Sequence, residues 1–274
     1  MIGDIRTMEE VAGFIAGFAD DPAFSDPMLR TGEQVSRNLA GAISRPEGHR
    51  VIGVYGGGAL RGVFSFLVDE EAGYLELLAG LSRDKGAYEE MLGWLGRQFP
   101  GYGADFVFNP RNRPLRGALE ERGAAFDPEE LRLVWDGLAV PEAGGREAVP
   151  YGAACREAYL ALHRDEGRYW TGEKVLAAQD RFRVFLALHE GRVAGYIDVT
   201  CPFAENEPYD LFVCEEARGR GYGKALLRAA LAANGPRGMA ALVEAENVPA
   251  IRLFRSLGFT EDPSGSSVLA RLTL

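Results

Sequence analysis

The sequence predicts a mixed α/β fold built as two like units in tandem, and three observations carry that expectation. Strand-like and helix-like patterns alternate along 274 residues, enough chain for two domains at roughly 150 residues each. The chain also matches itself at an offset of 135, with Arg218 falling on Arg83, Gly221 on Gly86, Leu227 on Leu92, Asn247 on Asn112, Pro249 on Pro114 and Gly258 on Gly123. A hairpin turn, Gly191-Arg192-Val193-Ala194-Gly195, repeats Gly58-Ala59-Leu60-Arg61-Gly62 at an offset of 133. Between the copies, Pro141-Glu142-Ala143-Gly144-Gly145 reads as a linker within Val140 to Pro150, which sets the expected units at 1–140 and 141–274.

Each unit reads in the same order, and the second is the more legible. Helices are expected over Tyr151 to Arg164 and Gly172 to Gln179, then strands over Phe182 to Leu188 and Ala194 to Thr200 around the hairpin turn. A third strand holds Leu211, Phe212 and Val213, and a helix carrying Ala225, Leu226, Leu227, Ala229 and Leu231 follows it. A strand over Ala240 to Val243, a helix from Asn247 to Leu257-Gly258-Phe259, and a closing strand over Ser267 to Leu274 complete the unit.

The stretch Arg218-Gly219-Arg220-Gly221-Tyr222-Gly223-Lys224 lies between the third strand and its helix. A glycine-rich strand-to-helix turn aims several backbone N–H groups at one point, and the helix dipole adds positive potential there, so the turn suits a phosphate. Its spacing is neither the dinucleotide fingerprint nor the P-loop, which lowers the standing of an ATP-binding reading.

Composition bounds the rest. An apolar share of 47% and a charged share of 26% describe a soluble globular chain. The opening residues lack a basic segment feeding an apolar run, and Val11 to Phe18 is too short to span a bilayer, so a cytoplasmic protein is expected, with no membrane partner. Cys155, Cys201 and Cys214 have neither the number nor the spacing of a disulfide framework or zinc site, and no metal is expected. Net charge is −10, with 14 Lys+Arg against 22 Asp+Glu in residues 1–140 and 16 against 18 in residues 141–274. That balance disfavours nucleic acid and suits cationic partners such as amines. Oligomeric state has no signal in the sequence.

The turn, with Val213 five residues ahead of Arg218, resembles the pyrophosphate-binding [Gln/Arg]-x-x-Gly-x-[Gly/Ala] motif of the GNAT N-acetyltransferase superfamily. A second family pattern, Asn-x-x-Ala-x-x-x-Tyr-x-x-x-Gly-Phe, is matched by Asn247, Ala250, Gly258 and Phe259, with Phe254 in the tyrosine's place. The resemblance covers about Arg181 to the C-terminus. It implies two GNAT-like units, each a mixed, mostly antiparallel central sheet flanked by helices.

It also implies acetyl-CoA as co-substrate. Pantetheine would pair with Leu211, Phe212 and Val213, and the pyrophosphate would lie on the turn formed by Arg218, Gly219, Arg220, Gly221, Tyr222, Gly223 and Lys224. Asn247 would hydrogen-bond the pantetheine arm, and Phe254 would border it. An amine acceptor, a small molecule or a peptide, would attack the thioester directly, with the Val213 N–H stabilising the oxyanion. Glu207, six residues before Val213, stands where the histone-acetylating branch keeps its base, with Glu244 as the next candidate. His163 and His189 are expected at the surface or in packing, and Tyr159, Tyr169, Trp170 and Phe203 near the acceptor cleft.

In the first copy, the constant offset puts Tyr88 in the place of Gly223 and Asp84 in that of Gly219, which would crowd and repel a pyrophosphate. That copy is expected to be degenerate, with a structural or acceptor-cleft role. The competing function is a non-catalytic acyl-CoA sensor or interaction module, suggested by Phe254 and the degraded copy.

Overall fold

Local sequence sets where the helices begin. In the computed structural model, which describes residues 1–18, 21, 27, 29, 31–138, 146–163, 165 and 170–274, the chain opens with β1 (Ile2–Asp4), α1 (Ala12–Ala16) and α2 (Gly32–Ile43). Thr31 starts α2 by accepting from the Gln34 N–H, while the Gln34 side chain returns to the Thr31 backbone in a capping box. Strands β2 (His49–Gly56), β3 (Ala59–Asp69) and β4 (Tyr74–Leu81) follow as a meander, then α3 (Lys85–Gln98), β5 (Gly103–Phe108), α4 (Arg113–Glu121), β6 (Ala125–Phe126) and β7 (Glu130–Trp135).

The second half repeats the plan with β8 (Ala148–Pro150), α5 (Arg156–Leu162), α6 (Gly172–Ala177), β9 (Phe182–His189) and β10 (Arg192–Thr200). Then come β11 (Glu205–Asn206), β12 (Pro208–Val213), α7 (Tyr222–Asn234), β13 (Gly238–Glu244), α8 (Val248–Arg255), β14 (Thr260–Glu261) and β15 (Val268–Thr273). The matching helices α4 and α8 start alike. Asn112 caps the Leu115 N–H, Asn247 caps the Ala250 N–H, and each helix has proline in its first turn, where a missing N–H costs nothing.

The sheets exchange their closing strands. Among the described residues one sheet runs β1-β2-β3-β4-β5-β15-β6, so the C-terminal strand sits between β5 and β6 of the first half. Reciprocally, β7 of the first half lies between β13 and β14 of the second, in a sheet ordered β11-β13-β7-β14. The two compact units are therefore not separated by one cut near residue 140. One holds Met1–Leu131, Glu244–Glu246 and Pro263–Leu274, and the other holds Arg132–Val243 and Asn247–Asp262. Where the register is described, the pairing is antiparallel apart from β4 with β5 and β11 with β13.

The first unit is filled by Phe64, Phe66, Leu75, Met91, Leu95 and Phe106, with Val268 and Ala270 of β15 completing the core. In the second, α5 packs on the sheet through Tyr159, Leu186 and Tyr196. Its sheet divides at the site of interest: β12 is the edge strand of β12-β10-β9-β8, whereas β13 belongs to the other sheet. The parallel pairing that β11 makes with β13, Glu205 with Gly238 and Asn206 with Met239, ends where β12 begins. A wedge opens beside Leu211 to Val213.

Candidate active site

The wedge is lined by backbone before it is lined by side chains. The Cys214 N–H donates to the Ala194 carbonyl at 2.9 Å, which makes that cross-strand pair hydrogen-bonded. The next pair, Gly195 with Val213, is then of the non-bonded kind, so the N–H and C=O of Val213 point off the β12 edge, away from β10. Leu211, opposite Ile197, points the same way by the two-residue period. Arg218 reaches back along this edge, its Nε donating to the Val213 carbonyl at 3.0 Å.

Helix α7 starts against the same wedge. Its N-cap is Gly221, at φ 86°, so no side chain caps its first N–H groups. Gly219, at φ 71°, is also left-handed, and a residue with a Cβ would be strained at either position. These uncapped donors and the helix dipole face a cavity of about 380 Å³ lined by Leu211 to Val213, Ala217 to Gly219, Gly221 to Gly223, Asn247, Pro249, Ala250 and Leu253. Gly223 keeps the cavity clear: a Cβ there would stand 3.2 Å from Leu253 Cδ2 and 3.9 Å from Leu211 Cδ2.

The first unit closes the corresponding place with its own side chains. Three residues, Ser82 to Asp84, join β4 to α3, whereas eight, Cys214 to Gly221, join β12 to α7. The constant offset of 135 therefore fails across this loop, and the expected equivalences of Tyr88 with Gly223 and Asp84 with Gly219 are corrected. Asp84 is the N-cap, as Gly221 is, and Tyr88 lies within the first turns of α3. The Asp84 carboxylate accepts from the Gly86 N–H at 2.8 Å and pairs with Arg61 at 2.6 Å, so the helix end already holds an anion. Burial opposes that charge, but Arg61 and the Gly86 N–H outweigh it and hold the Asp84 carboxyl below its ordinary value. The wholly buried Tyr88 donates to the carbonyls of Gly80, 3.1 Å, and Ser82, 3.0 Å, and accepts from Asn112 at 3.0 Å. Val63 pairs with Leu81, so the next pair sets Ser82 opposite Gly62 as Val213 stands opposite Gly195. The tyrosine hydroxyl thus takes the carbonyls matching those of Val213 and Leu211, together with the asparagine matching Asn247.

The opposite face of β12, turned away from α7, carries a buried acid–base cluster that the sequence reading missed. Tyr159 Oη is 3.0 Å from both oxygens of Asp198, and His163 Nε2 lies 2.9 Å from Asp198 Oδ2. His163 Nδ1 lies 2.6 Å from Asp165, which also accepts from the Gly172 N–H. Tyr196 stacks on His163 at 5.1 Å and donates to Asp210 at 2.5 Å. Burial pushes the Asp198 carboxyl up, against hydrogen bonds from His163 and Tyr159. Burial opposes the charge on His163 too, but Asp198 and Asp165 outweigh it and raise its pKa. His163 is therefore a buried, doubly bonded group rather than a surface one. A histidine flanked by Tyr159 and Asp165 near the predicted acceptor helices was the available signal.

The other expected residues fall as follows. Glu207 is exposed, its N–H donating to Thr200 Oγ1 at 2.7 Å between β11 and β12. Arg220 and Lys224 are exposed on the turn and outside the cavity lining, and Glu244 is exposed at the end of β13. Phe254 does not border the wedge; it is buried edge-to-face against Phe259, at 4.9 Å, and Leu253 lines the cavity instead. The phenylalanine side chain, with no hydroxyl to satisfy, packs into the core beneath α8. Trp170 packs edge-on to Phe182, Phe203 is exposed and Tyr159 is buried, while Tyr169 lies outside the described residues. His189 pairs with the Tyr222 hydroxyl at 2.8 Å. Cys214 Sγ donates to the Ala194 carbonyl at 2.9 Å.

Residues 180–261 match the family model for the acetyltransferase (GNAT) domain. No curated protein matches the chain. Among solved structures, a GCN5-related N-acetyltransferase from Sphaerobacter thermophilus is similar over 100% of this chain and 95% of its own, with a TM-score of 0.64 at 14% identity. A tandem GNAT protein from the clavulanic acid biosynthesis pathway matches 100% of this chain and 98% of its own, with a TM-score of 0.51 at 15% identity. An acetyltransferase of the GNAT family from Colwellia psychrerythraea matches all of both chains, with a TM-score of 0.51 at 14% identity. The fold of the chain is similar to theirs. Residues 180–261 thus resemble a GNAT-family domain in sequence, and the N-terminal region is consistent with a second copy of it.

Proposed function

We propose that the protein transfers an acetyl group from acetyl-CoA to a primary amine of a small molecule or peptide, by direct attack within a ternary complex. The observation that carries this reading is the uncapped start of α7 opening on the same cavity as the outward-facing backbone of Leu211 and Val213. A diphosphate suits the N–H groups of Gly219 to Lys224, with Arg218, Arg220 and Lys224 screening its charge. A pantetheine arm suits the edge of β12 as an added strand, with Asn247 beside it. The donor set holds oxygen anions and amides and needs no metal.

In the reaction, the ammonium form of the acceptor first loses a proton to a base, and Glu207 is the base that the family resemblance implies. The amine nitrogen then bonds to the thioester carbon while the carbon–sulfur bond breaks. The Val213 N–H supports the charge that grows on the carbonyl oxygen. The nitrogen's remaining extra proton goes to the departing sulfur, giving the amide and free CoA.

In the same reading the first unit takes no CoA, because Asp84 and Tyr88 fill the two subsites, and its role is structural. The protein works in the cytoplasm and engages no nucleic acid. Calorimetry with acetyl-CoA and thiol release across an amine panel test the reading. Binding of one acetyl-CoA per chain with turnover of at least one amine supports it, and absence of any binding heat removes it. Tight binding without turnover would favour an acyl-CoA sensor, the reading that Phe254, with no hydroxyl to protonate sulfur, keeps open.

A further inference from the structure

Arg146 stands ahead of β8 and outside the residues that match the family model, yet it grips the glycine turn before α7. We propose that Arg146 is a positioning residue for acetyl-CoA, holding the peptide between Arg220 and Gly221 with its N–H aimed at the diphosphate. The inference rests on the acetyl-CoA reading above. Arg146, His189, Arg220, Gly221 and Tyr222 all belong to the unit that holds Arg132–Val243.

Three observations carry it. The first is the grip itself. Arg146 Nε donates to the Arg220 carbonyl at 3.0 Å. That carbonyl and the Gly221 N–H lie in one trans peptide plane and point in opposite directions. Gly219 and Gly221 line the cavity, whereas Arg220 and Arg146 do not. A carbonyl held on the Arg146 side turns the Gly221 N–H towards the cavity, where it joins the uncapped donors of α7.

The second is how that peptide behaves unheld. Gly221 sits at φ 86° and Gly219 at φ 71°. Glycine takes either sign of φ, so a peptide bordered by Gly221 reverses at little cost. The reversed peptide would show the diphosphate a carbonyl oxygen in place of an N–H. A hydrogen bond that selects one orientation before the ligand arrives removes that ordering cost from binding.

The third is that Arg146 is itself held. β8 pairs with β9 as Ala148 with Ala187 and Pro150 with Phe185, and the same register carried back two residues brings Arg146 opposite His189. Both meet Tyr222. The guanidinium carbon of Arg146 lies over the tyrosine ring, 4.3 Å from its centre, and His189 Nδ1 is 2.8 Å from the hydroxyl. Tyr222 is buried and opens α7, so the brace is anchored on the helix that it serves.

The stack suits a planar head, and the grip needs an N–H at the place of Nε. Glutamine meets both without charge, because its amide nitrogen is as many bonds from Cα as arginine Nε. Lysine keeps the charge but puts a methylene at that place. Arg146 and Arg220 are exposed, so truncating the arginine leaves the Arg220 carbonyl to water and costs little stability.

The test is acetyl-CoA affinity of the full chain by calorimetry, with near-ultraviolet circular dichroism and the melting temperature of each variant reporting folding. Arg146→Ala is expected to weaken binding about 10-fold with the melting temperature little changed. Arg146→Gln is expected to recover most of that loss, and Arg146→Lys to bind as weakly as Arg146→Ala. The loss in Arg146→Ala is expected to persist in about 0.5 M salt, where a purely long-range charge effect would be screened. Should Arg146→Ala fail to fold, Arg146→Gln and Arg146→Lys carry the test by direct comparison with the wild type. Wild-type affinity in Arg146→Ala overturns the inference, as does recovery by lysine without recovery by glutamine, which would make Arg146 a screening charge only. A wild type that gives no heat with acetyl-CoA overturns the acetyl-CoA reading itself, whereas equal binding by wild type and Arg146→Ala overturns the brace alone.

Discussion

At residue scale, small changes have consequences that packing decides. Gly223 faces Leu253 and Leu211 across the cavity, so Gly223→Tyr fills it with a ring. We expect acetyl-CoA affinity to fall at least about 100-fold, roughly 2.7 kcal/mol, by calorimetry, with the melting temperature little changed. Phe254→Tyr has the opposite profile. Its hydroxyl would enter the buried contact with Phe259, costing about 1–3 kcal/mol of stability by chemical denaturation and leaving kcat unchanged. A rise in kcat would put position 254 back beside the sulfur. His163 and Asp198 both hold protons more tightly in the folded state than their ordinary values of 6.5 and 3.8 allow. The native state then binds more protons than the unfolded one, so the stability they contribute is complete below those values and declines as pH rises through the folded ones. His163→Gln should flatten the decline in melting temperature that begins above about pH 6.5, as scanning calorimetry would show. A wild-type stability that rises over that interval would contradict the sign.

At the scale of elements, strand and helix patterns were legible because period and caps are local. Phe182 to Leu188 and Ala194 to Thr200 appear as the hairpin β9–β10, and the glycine turn does precede a helix. The asparagine-proline starts of α4 and α8 are equally local. What the repeat hid was an unequal loop: hydrophobic matches in α3 and α7 hold the offset while the connection before them is five residues shorter in the first copy, three against eight. Only the hydrogen bonds of Tyr88 and Asp84 reveal how that copy is closed. The buried cluster was hidden for a similar reason, since His163, Asp198 and Asp210 are brought together by register between α5, β10 and β12 rather than by spacing. The closing of the first unit carries its own prediction. Tyr88→Phe leaves the Gly80 and Ser82 carbonyls and Asn112 Nδ2 without the hydroxyl, and should cost about 1–3 kcal/mol in denaturant unfolding. A neutral effect would show that the hydroxyl's partners are satisfied without it.

At the scale of the whole molecule, the exchange of β7 and β15 determines which pieces of the chain can fold. Sequence reading expects units at 1–140 and 141–274, because a proline- and glycine-rich segment is a local sign of a linker and strand exchange leaves no local sign. β15 pairs with β5 from Val268 with Phe108 to Thr273 with Gly103, and Val268 and Ala270 are buried in the first unit's core. A fragment of residues 1–140 lacks that strand, leaving the edges of β5 and β6 unpaired and an apolar face open. A fragment of residues 141–274 keeps β15 but lacks β7, whose Val134 and Leu133 pair with Thr260 and Glu261. Each fragment alone should therefore be loosely packed or aggregated, and mixing the two during refolding should restore a cooperative transition. Residues 1–128 joined directly to 264–274 should fold without the rest, because that chain supplies the strand that β5 and β6 require. Hydrogen exchange of the Gly103–Phe108 amides is the discriminating measurement: strong protection in the joined chain and weak protection in 1–140 follow from the exchange, and equal protection in both would mean that β15 contributes nothing to the first unit's stability.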